Sequence, residues 1–175
     1  MARDPLADPR PLIRRVYAYV AYRIGDGPEA EDVTSEVFER ALRYRDSFDP
    51  RRGEPIAWLL GIARRCTDHA AAGRRATASL DAWSGESSDD LEAAAVERLT
   101  LATTLAQLDE RTRDLLALRY GADLSARQIG RILEMKTNAV EVALHRALAR
   151  LRADLEREGA AAAVQLREPA PRTSS

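Results

Sequence analysis

The 175-residue chain has a single cysteine, Cys66, which excludes an intramolecular disulfide and any cysteine-based zinc cluster. Cys66 lies in an apolar-periodic segment, so it reads as a small buried thiol. The only histidines, His69 and His145, show no metal-ligand spacing, and no glycine-rich phosphate loop opens a helix. Neither catalysis nor a metal or cofactor is therefore expected. No apolar run approaches the length that spans a bilayer, and the Arg/Pro/Asp-rich start lacks a signal peptide's apolar core. The expectation is a soluble, cytoplasmic protein without membrane insertion. Excess charge of either sign is also missing: the formal net charge is −1, so the chain cannot coat nucleic acid by bulk electrostatics. Any DNA affinity must come from local patches. Lysine occurs once, at Lys136, among 27 basic residues, a bias that fits a GC-rich coding background better than a selected function.

What the chain does have is Ala, Leu, Arg and Glu, the residues that lose least in a helix, with proline and glycine gathered at a few breaks. No stretch reads as a strand. A first helix starting near Pro11 carries Leu12, Val16, Tyr19, Val20 and Ile24 at three- and four-residue steps and stops at GDGP. A second opens at Pro28, with Val33, Val37, Phe38, Ala41 and Leu42 as one apolar stripe. After DSFDPRRGEP, a third turns Ile56, Leu59, Leu60, Ala63 and Cys66 inward. No basic residue stands between Arg75 and Arg98, where SLDAWSGESSDDLE reads as a flexible acidic linker with Trp83 as an anchor. The predicted fold is all-α: a helical domain over 1–75, the linker over 76–97, a second helical domain containing a helix-turn-helix over 98–158, and a disordered tail over 159–175.

In the second domain Ser125 precedes Gln128 by three residues, and Asn138 precedes Glu141 by three. Each pair has capping-box spacing at the start of a short helix. The first helix carries Ile129, Ile132 and Leu133, and the second buries Val140, Ala143, Leu144, Ala147 and Leu151. Two short capped helices joined by a brief turn point to helix-turn-helix. The second helix would then present Lys136, Thr137, Asn138, Glu141, His145 and Val142 to the major groove, and Arg146, Arg150 and Arg152 to phosphates. The pattern alone leaves a plain helical hairpin with solvated arginines open beside the DNA reading.

DLSARQIGRILEMKTNAVEVALHRALARLR resembles the promoter-reading helix-turn-helix of bacterial sigma factors, through Ala139, Val140, Leu144, Arg146, Ala147, Leu151 and Arg152. AEDVTSEVFERALRYRDSFDP followed by PIAWLLGIARRCTDH is similar to that family's other conserved domain. The resemblance covers about residues 10 to 156, and its two-domain form looks like the extracytoplasmic-function class. It implies a dissociable subunit that binds core RNA polymerase and promoter DNA, with an anti-sigma factor as a further candidate partner. By the same resemblance Asp32, Glu36, Val37 and Phe38 dock on the clamp helices of the polymerase's largest subunit. Arg51, Arg52, Arg64, Arg65, His69, Arg74 and Arg75 meet the proximal promoter element during strand opening, where cations must line a separated strand. Trp58 lies on an apolar stripe and reads as core rather than as a base-stacking ring.

The chain also departs from the family's pattern. Arg65, Ala71 and Ala72 stand where Asn and further arginines are common, Glu134 and Asn138 where glycine is common, and Glu141 where a base is common. Arg146 matches and is the leading candidate for the distal element. The rival readings are a stand-alone helix-turn-helix regulator on a palindromic operator, and a degenerate sigma homologue acting only as a protein-interaction module.

Overall fold

The computed structural model describes residues 4–77 and 104–165, with side chains placed for 4–73 and 104–157. Most of the expected acidic linker, Trp83, and the tail from residue 166 lie outside the described residues. Among the described residues the structure is helical and contains no strand.

Helix α1 runs from Pro9 to Ile24, two residues earlier than its apolar period implies, because a proline in the first turn forfeits no intrahelical hydrogen bond. It ends at Gly25, whose φ of 97° a side chain would resist. Helix α2, Pro28–Arg43, has Glu29 and Glu31 in its first turn and Arg40 and Arg43 in its last, each sign at the end where the helix dipole favours it. A short 3-10 turn, Arg45–Ser47, leads through the Phe48–Glu54 loop into α3, Pro55–Thr77.

The three helices close on Val16, Tyr19, Val20, Val37, Leu59 and Leu60, all within 2% of full burial. Each large apolar side chain so removed from water contributes about 1.5–3 kcal/mol. Ile56, Ala63 and Cys66 are buried from α3 as their spacing predicts. Burial pushes the Cys66 thiol up from its ordinary value and keeps it protonated. Leu42 departs from the expectation: Val33, Val37 and Ala41 take the packed stripe of α2, and Leu42, one step further round the helix, is 59% exposed.

In the second half, 104–107 form a helical turn that leads to α4, Glu110–Leu116. Asp109 caps α4: its carboxylate accepts from the Thr112 N–H at 2.9 Å and from the Thr112 hydroxyl at 2.7 Å. The chain then widens into a π-type turn, Ala117–Gly121, where the Ala122 N–H donates to the Ala117 carbonyl. Helix α5, Ala126–Leu133, starts with the Ser125–Gln128 capping box that the spacing predicts. Helix α6 runs from Thr137 to Gln165, with 159–165 helical beyond the expected start of the tail.

Two close approaches set the remaining geometry. A Cβ on Gly130 would lie 2.6 Å from the Met135 carbonyl oxygen, so only glycine admits the tight turn between α5 and α6. Glu134 completes that turn in the left-handed region, φ 55°, a conformation that favours glycine. A Cβ on Gly121 would lie 2.9 Å from the Ala18 carbonyl oxygen and 3.0 Å from the Tyr19 Cα. The π-type turn is therefore pressed backbone to backbone against α1, and the apolar cores of the two halves form one continuous cluster.

Candidate functional site

Helix α6 is held down by Val140, Leu144 and Ala147, all buried, with Ala143 and Leu151 partly so. That fixes its rotation, and Lys136, Thr137, Asn138, Glu141, Val142, His145 and Arg146 all face solvent. The capping box expected at Asn138 and Glu141 does not form. The helix begins at Thr137, and the Val140 N–H donates to the Lys136 carbonyl at 3.1 Å, so Lys136 flanks the helix and Asn138 already lies within its first turn. Arg150 is exposed but turned toward its own half, 3.7 Å from Asp109 and 4.0 Å from Asp154.

The side chains expected at the proximal element gather at a cleft of about 840 Å³. Arg51, Arg52, Arg64 and Arg65 line one side of it, and Arg127 and Arg131 of α5 enter from the other. Trp58 is not a sealed core residue: it is partly buried at the cleft wall, its ring 5.6 Å from that of Phe48 and tilted by 60°. His69 is exposed on α3, and Arg74 and Arg75 belong to α3 with side chains outside the described ones.

On α2, Asp32 is exposed, and Glu36 and Phe38 are half-buried, with Glu36 paired to Arg40. Val37 is fully buried in the three-helix core, so it shapes this surface from beneath and cannot itself touch a partner. The exposed apolar groups here are Leu42 and Tyr44, at 59% and 55%.

A polar network between the halves was not foreseen. Arg23, its side chain only 5% exposed, donates to Asp68 at 2.5 Å and to the Glu110 carbonyl at 3.0 Å. Its Nε finds no hydrogen-bond acceptor, and Asp114 Oδ1 stands 3.9 Å from it. Burial works against the Arg23 charge, but Tyr19, Asp114, Asp68 and Glu110 outweigh it and hold the guanidinium charged. Asp114 also accepts from the Tyr19 hydroxyl at 2.6 Å and from Arg64 Nε at 3.0 Å. Further along, Arg15 donates to the Ala122 and Asp123 carbonyls, and Gln128 Nε2 donates to Glu54. Arg64, expected to face promoter DNA, is thus neutralised by an acid from the other half. The only sequence signal was a charged residue, Arg23, inside an otherwise apolar helix face.

Residues 10–76 match the sigma-70 region 2 family and residues 98–151 the sigma-70 region 4 family. The chain is 34% identical to the ECF RNA polymerase sigma factor SigD of Mycobacterium tuberculosis, over 90% of this chain and 78% of that protein. The chain belongs to the ECF RNA polymerase sigma factors. This sigma factor is also 32% identical to BldN of Streptomyces coelicolor, over 79% of its own length, and spans 56% of that relative. Among solved structures, it resembles CnrH in complex with the cytosolic domain of CnrY, with TM-score 0.60, 25% identity, and 85% and 82% of the two chains covered. It shares its fold with the sigma factor RpoE in complex with the anti-sigma factor NepR from Bartonella quintana, with TM-score 0.62, 19% identity, and 83% and 92% covered. Sigma factors are non-enzymatic transcription-initiation subunits. In this one, region 2 comprises α1 to α3, and region 4 contains α4 to α6. No helix of the described residues is long and apolar enough to cross a membrane.

Proposed function

We propose that this sigma factor works in the cytoplasm as a dissociable subunit that docks on core RNA polymerase and selects promoters through two separate DNA contacts. The outward face of α6 carries the reading: Thr137, Asn138, Glu141, His145 and Arg146 are exposed together on a helix whose other face is locked into region 4, with Lys136 exposed just ahead of it. Arg146 holds the distal element. Arg51, Arg52, Arg65, His69 and, once released from Asp114, Arg64 serve the opened strand near the start site, with Arg74 and Arg75 further along α3.

The docking surface is the outer side of α2, where Asp32, Glu36 and Phe38 adjoin exposed Leu42. An acidic face with apolar groups at its edge suits a basic coiled coil such as the clamp helices of the largest polymerase subunit. An anti-sigma factor is a further partner by analogy with RpoE, which is solved in complex with the anti-sigma factor NepR. No observation favours a stand-alone regulator or a purely protein-binding homologue.

The test is co-purification with core polymerase followed by sequencing of the DNA that the complex protects. Recovery of a shared two-part motif upstream of start sites supports the reading. Failure to retain core polymerase, with a palindromic site protected by the chain alone, would transfer it to the regulator.

A further inference from the structure

Glu141 is the one acid on the exposed face of the first two turns of α6, among Lys136, Thr137, Asn138 and His145. Val140 on one side and Leu144 on the other are buried, so the helix cannot rotate to turn this carboxylate away. The role that sequence spacing offers it, closing a capping box with Asn138, is void because α6 starts at Thr137. Among the described residues no ion pair or hydrogen bond engages Glu141. A stabilising job within the fold is therefore missing, while the position is the one from which a recognition helix reaches base edges.

An ionised carboxylate only accepts hydrogen bonds, and beside DNA phosphates it is repelled. Two groups in the major groove can satisfy it: the N4 amino group of cytosine and the N6 amino group of adenine. In adenine the amino group adjoins N7, an acceptor that opposes a second carboxylate oxygen. In cytosine it adjoins a C–H. Resting on the promoter reading above, we propose that Glu141 is a specificity-determining residue that selects a cytosine at one position of the distal promoter element. It works by exclusion as much as by attraction, since guanine and thymine present acceptors where the carboxylate needs a donor.

The experiment uses holoenzyme assembled from core polymerase and the full chain on a promoter library randomised through the distal element, with transcripts sequenced. Wild type enriches cytosine at one position by about five- to a hundredfold. Glu141→Gln moves the preference at that position toward adenine, which an amide matches through N6 and N7. Glu141→Ala flattens it there and leaves the other positions intact. The proposal is overturned if both variants keep the wild-type preference everywhere, or if the position they alter prefers a base other than cytosine in wild type. A wild-type holoenzyme that transcribes no library member sinks the promoter reading itself, an outcome distinct from a transcribing holoenzyme indifferent to residue 141.

Discussion

The hydroxyl of Tyr19 in region 2 donates a 2.6 Å hydrogen bond to the Asp114 carboxylate in region 4, and both side chains are out of water. Arg64 closes on the other oxygen of the same carboxylate at 3.0 Å. A single buried acid thus ties the two halves of the factor together and also neutralises a cation proposed to meet DNA.

Tyr19→Phe keeps the ring in the core and deletes the donor to Asp114. Leaving a buried acceptor short of a partner costs about 1–3 kcal/mol. Urea unfolding of the variant should show a loss of that size. Burial first, and then the Asp114 charge, push the Tyr19 phenol well above its ordinary 10.0. A raised folded value means that the stabilisation is complete below pH 10 and fades as pH climbs through the folded value. Stability measured upward from pH 10 should therefore fall more steeply in wild type than in Tyr19→Phe.

Gly121→Ala tests the seam by its backbone. The added methyl meets the Ala18 carbonyl and Tyr19 Cα, neither of which can swing aside as a side chain would. Overpacking of this kind costs about 1–3 kcal/mol. Small-angle scattering should report a larger radius of gyration for the variant than for wild type, and equal radii would mean that the seam does not hold the halves together in solution.

Asp109→Ala removes the cap of α4 and should destabilise region 4 by roughly 0.5–2 kcal/mol in thermal or urea melts. The Thr112 hydroxyl first, its N–H next, and Arg150 more weakly hold the Asp109 carboxylate below its ordinary 3.8. With a depressed folded value, the contribution is complete above pH 3.8 and is lost as pH falls through the folded value. The difference in stability between wild type and Asp109→Ala should accordingly shrink below pH 3.8.

Arg146→Ala should weaken open-complex formation by the value of one charged contact, about 1.5–3 kcal/mol, without altering binding to core polymerase. Filter binding on a promoter fragment and gel filtration with core enzyme separate the two effects. An unchanged open complex would remove Arg146 from the distal contact.

Much of this architecture could be read from periodicity. Val16, Val20, Leu59, Leu60 and Cys66 recur at helical steps because each must face the same core, and Ser125–Gln128 announces its helix because capping is local chemistry. Leu42 misled because it continues the apolar stripe of α2 by one residue past the width that α1 and α3 cover. The Asn138–Glu141 spacing misled because the turn built on Gly130 and Glu134 delivers the chain into α6 earlier. The network on Arg23 left one trace, a charge on an apolar helix face, but its partners were not legible, since Asp68 is 45 residues away and the Tyr19–Asp114 pair spans 95. Such pairings depend on how finished helices dock, which no local pattern encodes.

Run-off transcription measures directly whether this chain confers promoter choice on RNA polymerase. Core polymerase is given a template carrying a promoter recovered from the co-purified DNA, with and without the full chain. A transcript of defined start is expected only when both proteins are present, and it is lost when either promoter element is scrambled. No transcript from any such template, while the chain alone protects DNA, would contradict it.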